Sequence, residues 1–455
     1  MRPNSINGKT INIFLVIDLI NNDSNFGKDT GDTMYKWASD LFPINRSITG
    51  QGVRDTLNYI KAIEPSLVIK SVKSGMKVFD WQVPKEWNVR NAYIIGPDGN
   101  KFADFKVNNL HLMGYSIPVE ETLELEELNK HLHSLPNQPN AIPYVTSYYK
   151  EDWGFCITQF ERDKLERGQY KVFIDATLED GILNYGELLI KGRSEKELLI
   201  STYVCHPSMA NNELSGPVVA SMIIKWLKSL PSRRYTYRFV FVPETIGSIV
   251  YINENYYQLR TNCLGGFVVT CVGDNNNYSL LESKNGDTFL DCVGRHVMRW
   301  HTNNKYSSYS FLKRGSDERQ YSSVGVDLPM ISLMRSKYGE YVEYHTSLDN
   351  LDFISADGLY GAFRIHKKAI EVLETNVKYS VTSICEPQLG KRGLYPLQST
   401  KDTQEKVELM MNLIAYCDGS RDLLSVADII EADYFLCLQK VNDLLDSGLM
   451  IKIDE

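Results

Sequence analysis

Two histidines and two carboxylates stand where this sequence could place catalytic groups. His206 follows the apolar run ELLISTYV by two residues and is followed at once by Pro207, while Glu244 closes the next run, FVFVP. Asp317 lies in the polar string RGSDERQY and His345 in YHTSLDNLDF, on either side of the apolar stretch DLPMISLM. A strand end that leads through a loop into a helix aims such side chains into the crevice at the carboxyl edge of a parallel sheet. Imidazoles there can hold a metal ion, and a Glu can take a proton from a water that the metal has acidified. Each residue alone has a plainer reading: His206 bonded to loop backbone, Glu244 a carboxylate favoured at a helix N-terminus, Asp317 a solvated loop acid. Read together they favour His206 and His345 as ligands, Glu244 as general base, and Asp317 as a group orienting the ligands or a substrate amine. Asp349, four residues after His345, is expected beside it as an orienting or capping carboxylate.

The elements that must hold these residues read as an α/β fold, a mostly parallel sheet with helices on both faces. ELLISTYV, YRFVFVP and LGGFVVTCVG alternate with the helical patterns GPVVASMIIKWLKSL and GSIVYINENYYQL, and SADGLYGAFRIHKKAIEVLETNV closes the unit. Earlier helices are expected over Asp32 to Phe42 and in the segment carrying Val53, Leu57, Ile60 and Ile63. Short β-rich runs broken by Gly, Pro and Asn mark an inserted unit over 67–145, dividing the α/β domain into 32–66 and 146–385. After a linker, 395–455 has the pattern of a winged helix, and 1–31 is expected as a disordered or extended N-terminal segment.

Bulk properties exclude some functions. With 455 residues the chain exceeds one ordinary core. A net charge of −8 argues against a general nucleic-acid binder. The winged-helix segment 403–455 carries 11 Asp/Glu against 4 Lys/Arg, so it is expected to dock to protein rather than to DNA. The apolar run INIFLVIDLI is too short to span a bilayer and is interrupted by Asp18. Eight cysteines without a CxxC pair, with Cys205, Cys271 and Cys437 in apolar runs, fit buried free thiols in a cytoplasmic protein with no membrane partner.

The four segments, in this order, resemble the aminopeptidase-like zinc hydrolases, the superfamily that also contains glutaminyl cyclases. LFPINRSITGQGVR, KVFDWQVPKEWNVRNAYI, NAIPYVTSYYKEDWGF and CHPSMANNELSG resemble more closely a bacterial branch with a β-rich insertion and a C-terminal winged helix, associated with surface-polysaccharide functions. The resemblance implies that His206 and His345 are the first and last ligands and that Glu244 is the base. It also exposes departures. Asn212, with Glu213 next to it, stands where a carboxylate would bridge two metals; Thr245 and Thr270 replace acidic ligands, with Asp274 four residues beyond; Glu318 replaces a His after Asp317. Asn is a poor zinc ligand, so the metal set His206, Asn212, Glu213 and His345 fits one zinc better than two, with Glu213 or Glu244 as its carboxylate. The leading expectation is a zinc-dependent hydrolase of an amide or peptide-like bond, acting on a small peptide-like or amino-sugar substrate. A catalytically silent binding protein on the same scaffold is the alternative. Cyclisation of an N-terminal Gln through Glu244 and Asp317 is a third. A homo-oligomer or a protein partner held through the winged helix is also expected.

Overall fold

The computed structural model describes residues 26–394 and 401–453. Its centre is an eight-stranded sheet whose four middle strands are parallel. Glu197–Tyr203 pairs with Thr236–Val242 on one side and Cys263–Val268 on the other, and Met330–Met334 follows. Both Glu197–Tyr203 and Thr236–Val242 are buried along their whole length, as a strand covered on both faces must be. Ile182–Ile190 and Val68–Lys73 extend one edge antiparallel. At the other edge Ser279–Leu281 runs antiparallel to Met330–Met334 and parallel to the outermost Ser307–Tyr309.

Alternate residues of these strands feed two cores. Leu198, Ile200, Phe239, Phe241 and Phe267 face the helices Asp29–Leu41, Ser215–Ser229, Phe289–His301 and Ala356–Thr375. Leu199, Tyr203, Val240, Val242 and Val268 face the opposite layer, which includes the helix Ile246–Asn262 and the inserted unit. The expected helix over Asp32 to Phe42 spans Asp29–Leu41, and the next runs Gln51–Ile63. The N-terminal run INIFLVIDLI lies outside the described residues.

The insertion is built on a four-stranded antiparallel sheet ordered Lys101–Phe102, Glu86–Ile95, Gln169–Glu179, Val119–Glu124. It reaches beyond the 67–145 span read from sequence: Gln169–Glu179 belongs to it, whereas Val68–Lys73 belongs to the large sheet. Long-range strand pairing decided both, and local pattern carries no record of it.

The C-terminal module also begins earlier than 395. Lys378–Val381 lies between Asp418–Asp422 and Met450–Ile453 in a three-stranded sheet, with the helices Lys401–Tyr416, Leu423–Ile429 and Tyr434–Asp446. It is docked on the α/β domain: His296 Nδ1 pairs with Asp428 at 2.6 Å, and the Tyr434 backbone N–H donates to His296 Nε2 at 2.9 Å. Leu413, Leu438 and Val441 join the same core as Trp226 and Phe363. No described helix is long and apolar enough to cross a membrane.

Candidate active site

His206 follows the strand Glu197–Tyr203, and its imidazole is held from behind. Glu213 Oε2 lies 2.9 Å from Nδ1, which makes Nδ1 the donor and leaves Nε2 unprotonated in the neutral ring. Nε2 faces Glu244 Oε2 at 3.6 Å. The buried Arg46 fixes this pair: its Nε donates to the His206 carbonyl at 3.0 Å and lies 3.6 Å from Glu213 Oε1, and Nη1 donates to the Leu41 carbonyl at 2.7 Å. Burial pulls the His206 imidazole down, but Cys205 and Glu213 beside it carry it well above its ordinary value.

Glu213 reaches this position because the chain forms a single π-helical turn, Ala210–Leu214, before the helix Ser215–Ser229. Such turns recur at functional sites. The backbone N–H groups of Ala210, Asn211 and Asn212 all donate to the Asp349 carboxylate at 3.2, 2.6 and 2.9 Å, and Tyr341 Oη donates at 3.0 Å. Asp349 is therefore the cap of this helix start, and its oxygens are engaged there. Burial nevertheless lifts its carboxyl to about 6. Gly216 lets the helix approach the sheet: a Cβ there would sit 2.3 Å from Thr202 Oγ1 and from the Val269 carbonyl.

Glu244 ends the strand Thr236–Val242 by way of Pro243, and its side chain is 21% exposed. Thr245 has φ +66° and ψ −77°, and the Ile246 N–H donates to the Glu244 carbonyl at 2.8 Å. That is a γ-turn in its strained form, held by a β-branched residue. The turn presents the Thr245 N–H to Asp317 Oδ1 at 2.8 Å, and Ser248 Oγ donates to the same oxygen at 2.8 Å. Asp317 Oδ2 is buried with no partner. Burial first, then the charge of Glu244, lifts the Asp317 carboxyl to about 7, and burial raises Glu244 too.

His345 completes the cluster with φ +57°; its ring lies 5.4 Å from that of His206, centroid to centroid. Tyr344 stacks on it at 3.9 Å. Burial and the nearby His206 charge hold this imidazole down at about 3. Tyr144 from the insertion lies against both histidines, 5.3 and 5.2 Å between centroids, and its N–H donates to the His345 carbonyl at 2.9 Å.

The structure brings together His206, Glu244, Asp317 and His345. It turns two residues of the expected metal set elsewhere. Asn212 Oδ1 accepts from Tyr203 Oη at 2.8 Å, and the same hydroxyl bonds Thr270 Oγ1 at 2.5 Å. Glu213 serves Nδ1 at the rear of the ring. Asp274 is spent on Asn211, Asn276 and Ser336, and Glu318 Oε1 on the N–H groups of Gly315 and Ser316 and the Tyr338 hydroxyl. Among the described residues, Cys205, His206 and Glu213 are the set with three ligand-type atoms within 4.8 Å of one another. The Arg46 guanidinium against Glu213 opposes a cation there, and burial pushes the Cys205 thiol up to about 11. Two metals do not fit this donor set. His206 Nε2 is the donor a single zinc could reach, with Glu244 Oε2 3.6 Å from it and Glu213 as the orienting carboxylate behind. Arg46, Tyr144, Tyr203 and Arg319, which donates to Thr245 Oγ1 at 2.6 Å, were not singled out from sequence. Arg46 and Tyr144 lie far away along the chain, Tyr203 and Arg319 stand beside candidate residues, and an isolated Arg or Tyr carries no local signal.

Comparison with known proteins gives this geometry a setting. The family described as "Domain of unknown function (DUF4910)" matches residues 35–376, and a winged helix-turn-helix family matches 377–452. A Clostridium acetobutylicum protein, provisionally named a polysaccharide biosynthesis protein with aminopeptidase-like domain, is 46% identical over 401 residues, 88% of this chain and 91% of its own. A crystal structure of a provisionally assigned peptidase from Clostridium acetobutylicum superposes with a TM-score of 0.89 at 43% identity, over 95% of this chain and 99% of that one. A zinc aminopeptidase from Bacillus subtilis has the same fold at 15% identity, TM-score 0.54, over 75% and 94% of the two chains.

Proposed function

From the premise that this chain belongs to the DUF4910 family, with an aminopeptidase-like fold and a C-terminal winged helix, we propose that it hydrolyses an amide or peptide-like bond in surface-polysaccharide biosynthesis. The observation that carries this reading is the meeting of His206, Glu244, Asp317 and His345 at one sheet edge, with Glu244 Oε2 3.6 Å from His206 Nε2. Buried, mutually repelling carboxyls are costly unless they serve chemistry. His206 through Nε2 and His345 would hold one zinc, with Glu244 facing it as the base. When bound, the zinc supplies electrophilic polarisation of the scissile carbonyl and a more acidic water.

The protein's own groups do the proton work. Burial lifts both the Glu244 and the Asp317 carboxyl; Glu244 accepts the proton of the attacking water and returns it to the departing amine, with Asp317 beside it. Glu213 keeps His206 in one tautomer, and Arg46 lies against Glu213. The name of the clostridial relative supports an amino-sugar conjugate as substrate. A second reading, a silent binding protein, is favoured by the engagement of Asn212 and Thr270 with Tyr203.

The experiment is elemental analysis of protein purified without chelator, together with hydrolysis of aminoacyl and acylamido-sugar amides. We expect about one zinc per chain, lost in a His206→Ala/His345→Ala variant, and hydrolysis reduced at least about 100-fold in Glu244→Gln. No zinc after zinc is supplied, together with no hydrolysis, selects the binding protein.

A further inference from the structure

We propose that Trp81 and Tyr149 form an exposed saccharide platform, which holds acylamido-sugar units of a substrate outside the reacting bond. The identity of that bond rests on the hydrolase reading; the platform itself does not. Trp81 is 41% and Tyr149 57% exposed, unusual for two large aromatic rings placed side by side. Their rings lie 6.1 Å apart and edge-on. The platform has a fixed base: Trp81–Gln82 pairs with Lys77–Val78 in a tight hairpin, and Tyr149 Oη donates to the Gln82 carbonyl at 3.4 Å.

Its position links it to the histidines. Tyr148, adjacent in sequence, shares a hydrogen bond of 2.7 Å with Tyr144, whose ring touches both His206 and His345. One chain segment thus carries aromatic rings from the exposed hairpin to the chemistry. Around the platform the polar groups are mixed in sign: Lys85 pairs with Glu151 at 3.2 Å, and Lys77 and Asp80 belong to the hairpin. A purely apolar partner would leave the exposed Lys77 and Asp80 unmatched. A sugar suits them, because its C–H face packs on an aromatic ring while its hydroxyl and acetamido groups bond to the polar rim.

The test is titration of the full chain with the N-acetylglucosamine trimer, followed by tryptophan fluorescence. We expect a saturable change, with affinity weakened about 10-fold or more in Trp81→Ala and in Tyr149→Ala, at unchanged melting temperature. Because both side chains are largely exposed, these variants should fold; Trp81→Phe should recover part of the affinity. No saturable binding by the wild type, or equal affinity in Trp81→Ala, overturns the platform. Binding that depends on Trp81 without amide hydrolysis keeps the platform and removes the hydrolase. Hydrolysis of small amides with saccharide affinity indifferent to Trp81 does the reverse.

Discussion

Glu213 lies between the imidazole of His206 and the guanidinium of Arg46, and this arrangement decides what each can do. Replacement by Gln keeps the shape and removes the charge that favours the Nδ1 proton and offsets the buried Arg46. We expect Glu213→Gln to bind zinc about 10- to 100-fold more weakly, read by competition with a chelating indicator, while the circular dichroism spectrum is retained. Tyr203 is a structural counterpart. Its hydroxyl holds Asn212 and Thr270 in the places where two acidic ligands would be expected. Tyr203→Phe should lower stability by about 1–3 kcal/mol in urea denaturation, because it leaves buried polar atoms unpaired.

At the scale of elements, the sheet contains its own buried charge system. Arg238, in the strand Thr236–Val242, bonds Glu197 on the parallel neighbour at 2.7 Å and Glu187 on the antiparallel one, with Tyr251 Oη at 3.1 Å. One cation therefore registers three strands and the helix behind them. Arg238→Ala leaves Glu197 without its cation in the interior, while Glu187 keeps Lys70 at 2.7 Å, and should cost about 3–5 kcal/mol by urea denaturation. The helix Ala356–Thr375 carries a different liability. His366 is buried with Nδ1 against the Ala362 carbonyl, and burial holds its imidazole down at about 4 against an ordinary 6.5. The unfolded chain then takes up this proton first as pH falls. Stability is unaffected above about pH 6.5 and declines between about 6.5 and 4, by roughly 3 kcal/mol in total from this group. His366→Leu should flatten that part of a stability-versus-pH curve; an unchanged slope would show that other groups set it.

Across the whole molecule, the winged helix behaves as a docked module. His296 bridges Asp428 and the Tyr434 backbone, and Lys368 lies over the Phe435 ring at 4.1 Å. His296→Ala removes both polar ties and should make the segment 382–394 more susceptible to limited proteolysis, with the α/β domain left intact. The acidic balance of the module already disfavours a DNA-binding role by its charge, and the docking gives its helices a protein surface to rest on.

The sequence by itself determined the alternation of buried strands and helices, the winged-helix pattern and the four residues that meet at the sheet edge. These are properties of local period and of strand-end position, which a single chain segment carries. Only the tertiary structure decided the rest. It assigned Gln169–Glu179 to the small sheet and Lys378–Val381 to the C-terminal one, because strand pairing joins residues with no shared local signal. It put Glu213 behind His206 rather than beside Glu244, because a π-turn capped by the distant Asp349 sets the direction of that side chain. Arg46 and Tyr144 entered the site for the same reason: a buried charge and an aromatic ring find their partners by packing across the fold, not by spacing along the chain.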